Sequence, residues 1–179
     1  NTLDVPIPLL IVVGALAALA LFAPAAWLAS GVAQASKGQV LLTQPRGTVW
    51  NGSAQLVLTG GSQSQDAAAL PDRLLWTLRP SWQGLRGEVL PACCSTQPIR
   101  LLASPRWNGG LLSSDNLALT LPAQLLIGLG TPWNTLSPRG QLTLMANTVS
   151  IDWRQGRAQL SGNATIDLAN LSSPLSTLQ

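Results

Sequence analysis

The chain has 179 residues, of which 46% are hydrophobic and only 9% charged, and its net charge is +3. The small basic surplus contains no basic run, which argues against a nucleic-acid partner. Histidine is absent, and this excludes Ser-His and Cys-His catalytic pairs and His-ligated metal sites.

The first predicted element is an apolar helix. From Pro6 to Ala29 the only side chain able to form a hydrogen bond is the indole of Trp27. A helix of this length spans about 36 Å, enough to cross the hydrocarbon core of a bilayer. Pro24 should kink or end the helix. We therefore expect residues 1–36 to form a transmembrane anchor followed by a short linker.

The competing interpretation of this segment is a cleavable signal peptide. Ala33-Gln34-Ala35 resembles a cleavage site of the A-x-A type. The apolar run is longer than the core of a usual signal peptide, which favours the anchor. Charge does not determine the orientation of the anchor, because Asp4 is the only charged residue before Lys37.

The remaining residues, 37–179, are expected to form one β-domain, in which a hairpin over Gly47–Thr59 follows a short first strand. Trp50-Asn51-Gly52 is typical of a strand that ends in a tight turn, because Asn and Gly tolerate positive φ. After it, Ala54, Leu56 and Leu58 alternate with polar residues. This period of two indicates a half-buried strand.

Alternating apolar residues, bounded by Gly and Pro, predict the next elements. Residues 60–71 are polar and lack periodicity, and they predict a loop. A short helix is predicted after Pro122, over Ala123–Leu129. The predicted strands of this region are Gln39–Thr43 (followed by a turn at Gln44-Pro45-Arg46), Leu74–Arg79 (stopped by Pro80), Leu85–Val89, Pro98–Ala103 and Asp115–Leu121.

The clearest alternation lies in the last third of the chain. Apolar residues fall on even positions from Leu142 to Ala146 and on odd positions from Val149 to Trp153. A phase change of one residue predicts a β-bulge. Ala158–Leu168 then alternates strictly. The fold class predicted is all-β, an open curved antiparallel sheet or half-barrel of about eight or nine strands, with one N-terminal transmembrane helix.

The seven tryptophans divide by context. Trp50, Trp76 and Trp153 are in phase with the apolar faces of their strands, which predicts core positions. A second group lies beside Pro, Gly or Arg in predicted loops, and these residues are candidates for a partner contact or a membrane interface. Closing a sheet edge would explain their positions equally well. The members of this group are Trp82, Trp107 and Trp133.

Cys93-Cys94 is the only pair of cysteines. A disulfide between adjacent residues is rare and geometrically poor. Two unpaired, inert thiols are therefore the favoured interpretation, with a bridge to a partner as the other alternative in an oxidising compartment.

Catalytic and binding motifs are missing. The sequence contains no Walker A loop, no GxSxG nucleophile and no GxGxxG fingerprint. The carboxylates are scattered, with no local acid pair. The sequence therefore predicts no catalytic, cofactor-binding or metal-binding residue, and it favours a protein that acts by contact over an enzyme.

Several short segments, in this order, resemble protein N of the bacterial type II (general) secretion system. They are Pro24-Ala25-Ala26-Trp27-Leu28, Gly47–Ala54, Leu74–Pro80, Pro138–Leu144 and Pro174-Leu175-Ser176. The resemblance implies an inner-membrane, single-pass accessory protein with its bulk in the periplasm, whose partners are other type II secretion proteins. That family has no catalytic residues to transfer. Its members usually continue with further strands, which implies that the chain is truncated at its C-terminus.

Two hypotheses about the contact surface follow. The terminal strand Ala158–Leu168 carries few charges and no Pro, so its edge is open to another protein's strand, with Asn163 and Thr165 as candidate contacts. Residues beyond 179 that complete the sheet are the alternative explanation of this edge. For function, the alternative to a secretion accessory is a periplasmic lipid-binding or lipid-bridging groove formed by the apolar face.

Overall fold

The computed structural model describes residues 7–61, 63–154 and 157–172, with no side-chain description for residues 158, 171 and 172. In these ranges the chain forms one eight-stranded antiparallel sheet in which every strand pairs with the next one along the sequence. The prediction of an open antiparallel all-β sheet is confirmed. The strands are β1 (Val40–Gly47), β2 (Asn51–Thr59), β3 (Ala67–Ser81), β4 (Gly84–Pro91), β5 (Ile99–Arg106), β6 (Gly109–Pro122), β7 (Arg139–Arg154) and β8 (Arg157–Ser172).

Two helices precede the sheet, α1 (Ile7–Leu21) and α2 (Ala25–Ala35). Pro24 is the N-cap of α2, so the prediction that it ends the first helix is confirmed. Every residue of α1 is exposed. No helix within the described ranges combines the length and the apolar character needed to cross a bilayer.

One face of the sheet, here called the inner face, carries the core. α2 covers it near the β1–β2 turn, where Ala25 packs with Ala54 and Trp76. A 3-10 helix, Ala123–Leu129, covers it near the other end of the strands, where Leu125 packs with Leu70 and Cys94. The prediction of a short helix after Pro122 is confirmed. A four-residue helix, α3 (Trp133–Leu136), follows.

Several strand boundaries differ from the predictions, because the strands continue through register shifts at residues that were predicted to be turns or loops. The predicted turn at Gln44-Pro45-Arg46 is a shift of register inside β1, with Gln44 at φ 49°. Trp50-Asn51-Gly52 does not end a strand; the turn precedes Asn51, which starts β2. The predicted loop over residues 60–71 is also wrong at its end, because β3 begins at Ala67. Pro71 lies where the pairing of β3 with β2 shifts register, so its missing N–H removes no regular ladder bond.

The predicted bulge in β7 is confirmed. The pairing of β7 with β8 shifts register between Ala146 and Thr148. The extra residue returns the apolar side chains to the inner face after the phase change.

Ser114 is the buried polar residue whose environment is least favourable. Its Oγ has no hydrogen-bond partner among the described residues, and its neighbours across the sheet are Leu101 and Val149. An unpaired buried hydroxyl destabilises a fold by about 1–3 kcal/mol. We expect Ser114→Ala to raise the free energy of unfolding by about 1 kcal/mol in denaturant melts.

Ser150→Ala is the matched control, because the Oγ of Ser150 lies 3.0 Å from the Oγ of Ser161 in an exposed pair. This change should leave stability within about 0.5 kcal/mol of the parent. A loss of stability in Ser114→Ala would show that its hydroxyl has a stabilising partner.

Candidate contact surfaces

Two carboxylates of the described chain, Asp66 and Asp152, have close structural partners. Asp152 binds Arg154 at 2.8 Å and Arg106 at 3.5 Å, and Asp66 accepts a hydrogen bond from Asn134 at 3.0 Å. Within the described ranges, no three His, Cys, Asp or Glu side chains are grouped in a way that could hold a metal. The remaining candidates for a functional site are three exposed surfaces of the sheet.

The first surface is formed by apolar residues of β8 on the inner face. Paired residues of an antiparallel ladder share a face, and two rows of apolar side chains cross β6, β7 and β8. The rows are Leu121–Leu142–Leu168 and Leu119–Leu144–Ile166. At β6 the rows pack against the cluster that contains Leu125. At β8 they emerge into solvent, with Ile166 59% and Leu168 57% exposed.

Leu160 extends this surface toward the β7–β8 connection. It pairs with Ile151 and is 74% exposed. We call Leu160, Ile166 and Leu168 the β8 apolar surface. Because these side chains continue a row that is buried at β6, they are a candidate contact surface.

The second surface is the free side of β8, the last strand of the described sheet. Asn163 pairs with Thr148 and Thr165 pairs with Met145, so both candidates lie in the middle of β8, and both are exposed. A strand with one unpaired side offers backbone N–H and C=O groups to another strand.

The third surface is one end of the sheet. In a meander, the β1–β2, β3–β4 and β5–β6 turns lie at the same end, and β7 also ends there. Trp82 occupies the β3–β4 turn and Trp107 the β5–β6 turn, and both indoles are fully exposed. Trp153 is the second-to-last residue of β7, so it also lies at this end, and it is 49% exposed. We call this end the tryptophan end.

The joint between α1 and α2 is attached to the tryptophan end. The N–H of Val49, in the β1–β2 turn, donates to the carbonyl of Ala23 at 2.8 Å. The indole Nε1 of Trp50, in the same turn, donates to the carbonyl of Ala20 at 2.7 Å. The turn therefore holds the end of α1 by one hydrogen bond and the joint that follows it by another.

The predictions for core tryptophans had different outcomes. Trp76 is buried, as predicted, and its Nε1 donates to the carbonyl of Val49 at 3.0 Å. Trp50 is half-buried and belongs to a turn. The core prediction for Trp153 is wrong: it lies on the inner face, but its paired neighbours Gly110 and Ala158 are small and it is 49% exposed.

The five predicted contact residues do not form one site. Trp82 and Trp107 share the tryptophan end, whereas Asn163 and Thr165 lie along β8. Trp133 starts α3 and is 38% exposed. It lies at the opposite end, because the adjacent Asn134 binds Asp66 of the β2–β3 connection.

Cys93 and Cys94 form a disulfide, so the favoured interpretation as two unpaired thiols is wrong. Cys94 is buried against Leu70 and Leu125 in the connection between β4 and β5. This connection borders an open depression of about 1200 Å³. Spacing gave no sign of this arrangement, since adjacency argues against a disulfide unless the local turn brings both sulfurs together.

Comparisons with known proteins bear on what these surfaces serve. No curated protein matches the sequence, and no solved structure matches it. The family described as "Type II secretion system (T2SS), protein N" matches residues 38–179. That range includes the whole sheet, with both the β8 surfaces and the tryptophan end. The chain therefore belongs to the protein N family of the type II secretion system.

Proposed function

We propose that this type II secretion component is a non-enzymatic accessory protein, held in the inner membrane by residues 1–36 and acting in the periplasm through residues 37–179. The observation that supports contact as its mode of action is the β8 apolar surface beside the free side of the same strand. The apolar, uncharged and fully exposed α1 supports the anchoring. The partner is another protein of the secretion system.

Strand addition is the mode of contact that fits β8 best. The free side supplies backbone hydrogen bonds, and Leu160, Ile166 and Leu168 supply apolar side chains on one face. The opposite face of β8 carries Asn163 and Thr165, so an added strand would have one apolar and one polar face. Such a partner needs alternating residues rather than a sequence motif.

A photo-crosslinking amino acid at Thr165 tests the partner in membranes of a secreting cell. We expect a crosslink to a second type II secretion protein. The matched control is the same amino acid at Glu88, which is exposed on β4 in the middle of the sheet and should give no such product. A crosslink from Thr165 to a part of the same chain other than its paired strand β7 would contradict the proposal, because the chain itself would then cover β8.

Proline substitutions in β8 test whether a partner pairs with the backbone at the free side of this strand. N–H groups alternate in direction along a strand, so Asn163→Pro and Ala164→Pro remove N–H groups on opposite sides of β8. We expect one of them to lower stability by weakening the pairing with β7. The other should leave stability unchanged and abolish the Thr165 crosslink. Normal crosslinking in the variant that keeps its stability would exclude strand addition.

The second candidate function is a lipid-binding groove, favoured by the exposure of Ile166 and Leu168. A crosslinking amino acid at Ile166 distinguishes the two functions, because this residue lies on the inner face. A protein product supports the contact scaffold, whereas a phospholipid product found by mass spectrometry supports the groove.

A further inference from the structure

We infer that the tryptophan end of the sheet rests on the headgroup layer of an anionic bilayer. The inference rests on the proposed membrane anchoring and adds to it a second, peripheral contact made by the β-domain itself. It assigns a role to the exposed indoles of Trp82 and Trp107, which neither the core nor the β8 surfaces use.

The exposure of these two indoles is the first observation. Each is fully exposed at the tip of a hairpin, where a tryptophan has no internal packing. The two turns are separated by two strand spacings, about 10 Å, so both indoles lie at one end of the sheet. Trp27, in the first turn of α2, is 58% exposed and borders an apolar groove with Val49 of the β1–β2 turn. Tryptophan is enriched at membrane interfaces because its ring is apolar and its N–H is polar.

The charge distribution is the second observation. Six of the ten basic residues lie within three residues of a strand terminus at the tryptophan end, and only one acidic residue, Asp152, does. This end is therefore basic, although the whole chain carries only +3. The rest of the chain has four basic and six acidic residues. Basic side chains close to a bilayer are attracted to anionic headgroups. The six are Arg46, Arg79, Arg86, Arg106, Arg154 and Arg157, all of them exposed.

The position of α1 selects the bilayer over a protein as the partner of this end. α1 is attached to the same end through the bonds of Val49 to Ala23 and of Trp50 to Ala20. If α1 lies in the membrane, the tryptophan end is the part of the domain closest to the headgroups. The opposite end, with Asp66 and Trp133, then faces away.

Fluorine NMR in nanodiscs tests the inference on the full chain. Incorporation of 5-fluorotryptophan gives one resonance for each of the seven tryptophans, and single Trp→Phe substitutions assign them. The nanodiscs contain anionic lipid and a gadolinium-chelating headgroup lipid. We expect the Trp82 and Trp107 resonances to lose intensity by paramagnetic broadening. Trp133, at the opposite end, is the internal reference and should keep its intensity.

Two outcomes would overturn the inference, and they are distinguishable. A chain that does not float with lipid vesicles contradicts both the anchoring and the headgroup contact. A chain that floats, but whose Trp82 and Trp107 resonances are as sharp as that of Trp133, contradicts the headgroup contact alone and leaves the tryptophan end available to a protein partner.

Charge is tested by two matched double variants. Arg79 and Arg86 are directly paired and flank the Trp82 turn, so Arg79→Gln with Arg86→Gln should reduce the broadening of the Trp82 resonance. The control, Lys37→Gln with Arg139→Gln, removes the same charge near the starts of β1 and β7, at the opposite end of the sheet. It should leave the broadening of the Trp82 resonance unchanged. Equal effects of the two pairs would overturn the assignment of the basic end to anionic headgroups.

Discussion

Replacing Trp76 by Ala is expected to lower the free energy of unfolding by about 3–5 kcal/mol, the usual effect of removing a buried aromatic side chain. Trp76 is 4% exposed and packs between β2 and α2 with Ala54 and Ala25. The change also removes the hydrogen bond of 3.0 Å that the indole N–H donates to the carbonyl of Val49. Both effects act at the turn that holds the end of α1.

Gly52 shows how closely the chain packs around this indole. Gly52 pairs with Trp76 across the sheet, and a Cβ at position 52 would lie 2.6 Å from Cζ2 of the indole and 2.7 Å from the carbonyl oxygen of Arg46. Backbone or ring would have to move to admit it. Glycine is therefore required for the indole to lie across β2.

Trp107→Ala is the control for Trp76→Ala in denaturant melts. The Trp107 indole is fully exposed, so its removal should change stability by no more than about 0.5 kcal/mol. Equal losses in the two variants would contradict the assignment of Trp76 to the core.

Placing Arg at Val13, in the middle of α1, is the second change with a large expected effect. Under the proposed anchoring, an arginine near the bilayer centre disfavours insertion by about 2.5–3.5 kcal/mol. This corresponds to a shift of about a hundredfold in the ratio of inserted to non-inserted chain. Carbonate extraction of membranes measures the ratio.

Leu19→Arg is the matched control within the same helix. Leu19 is as exposed as Val13 but lies two residues before the end of α1, where a long basic side chain can reach the headgroups. Its effect should be smaller. Recovery of the unmodified chain in the soluble fraction, or equal small effects of the two changes, would contradict the anchoring.

Alternation of side chains was the strongest signal in the sequence. Residues on the two faces of a strand differ in polarity wherever one face is buried, and β4 and β7 were predicted close to their observed positions. The bulge of β7 was predictable because an extra residue inverts the alternation. The first residues of β3 were missed, since Ala67 and its neighbours lack large apolar side chains and Pro71 interrupts the pattern.

For the candidate contact residues, too, the sequence predicted some features and missed others. Exposed tryptophans at Trp82 and Trp107 were predictable from their turn-forming neighbours. Their common location was not, because it follows from the order of strands in the sheet. Trp153 was misassigned because periodicity identifies the face of a strand and says nothing about what covers that face.

The sequence by itself determined the all-β class, the family and the helix break at Pro24, because local alternation and proline geometry depend on neighbours along the chain. Only the tertiary structure decided which apolar residues are covered, that Cys93 and Cys94 are bonded, and that Trp82, Trp107 and Trp153 lie with six arginines at the end attached to α1. These features depend on strand pairing and helix docking between residues far apart in sequence, and no local pattern contains that information.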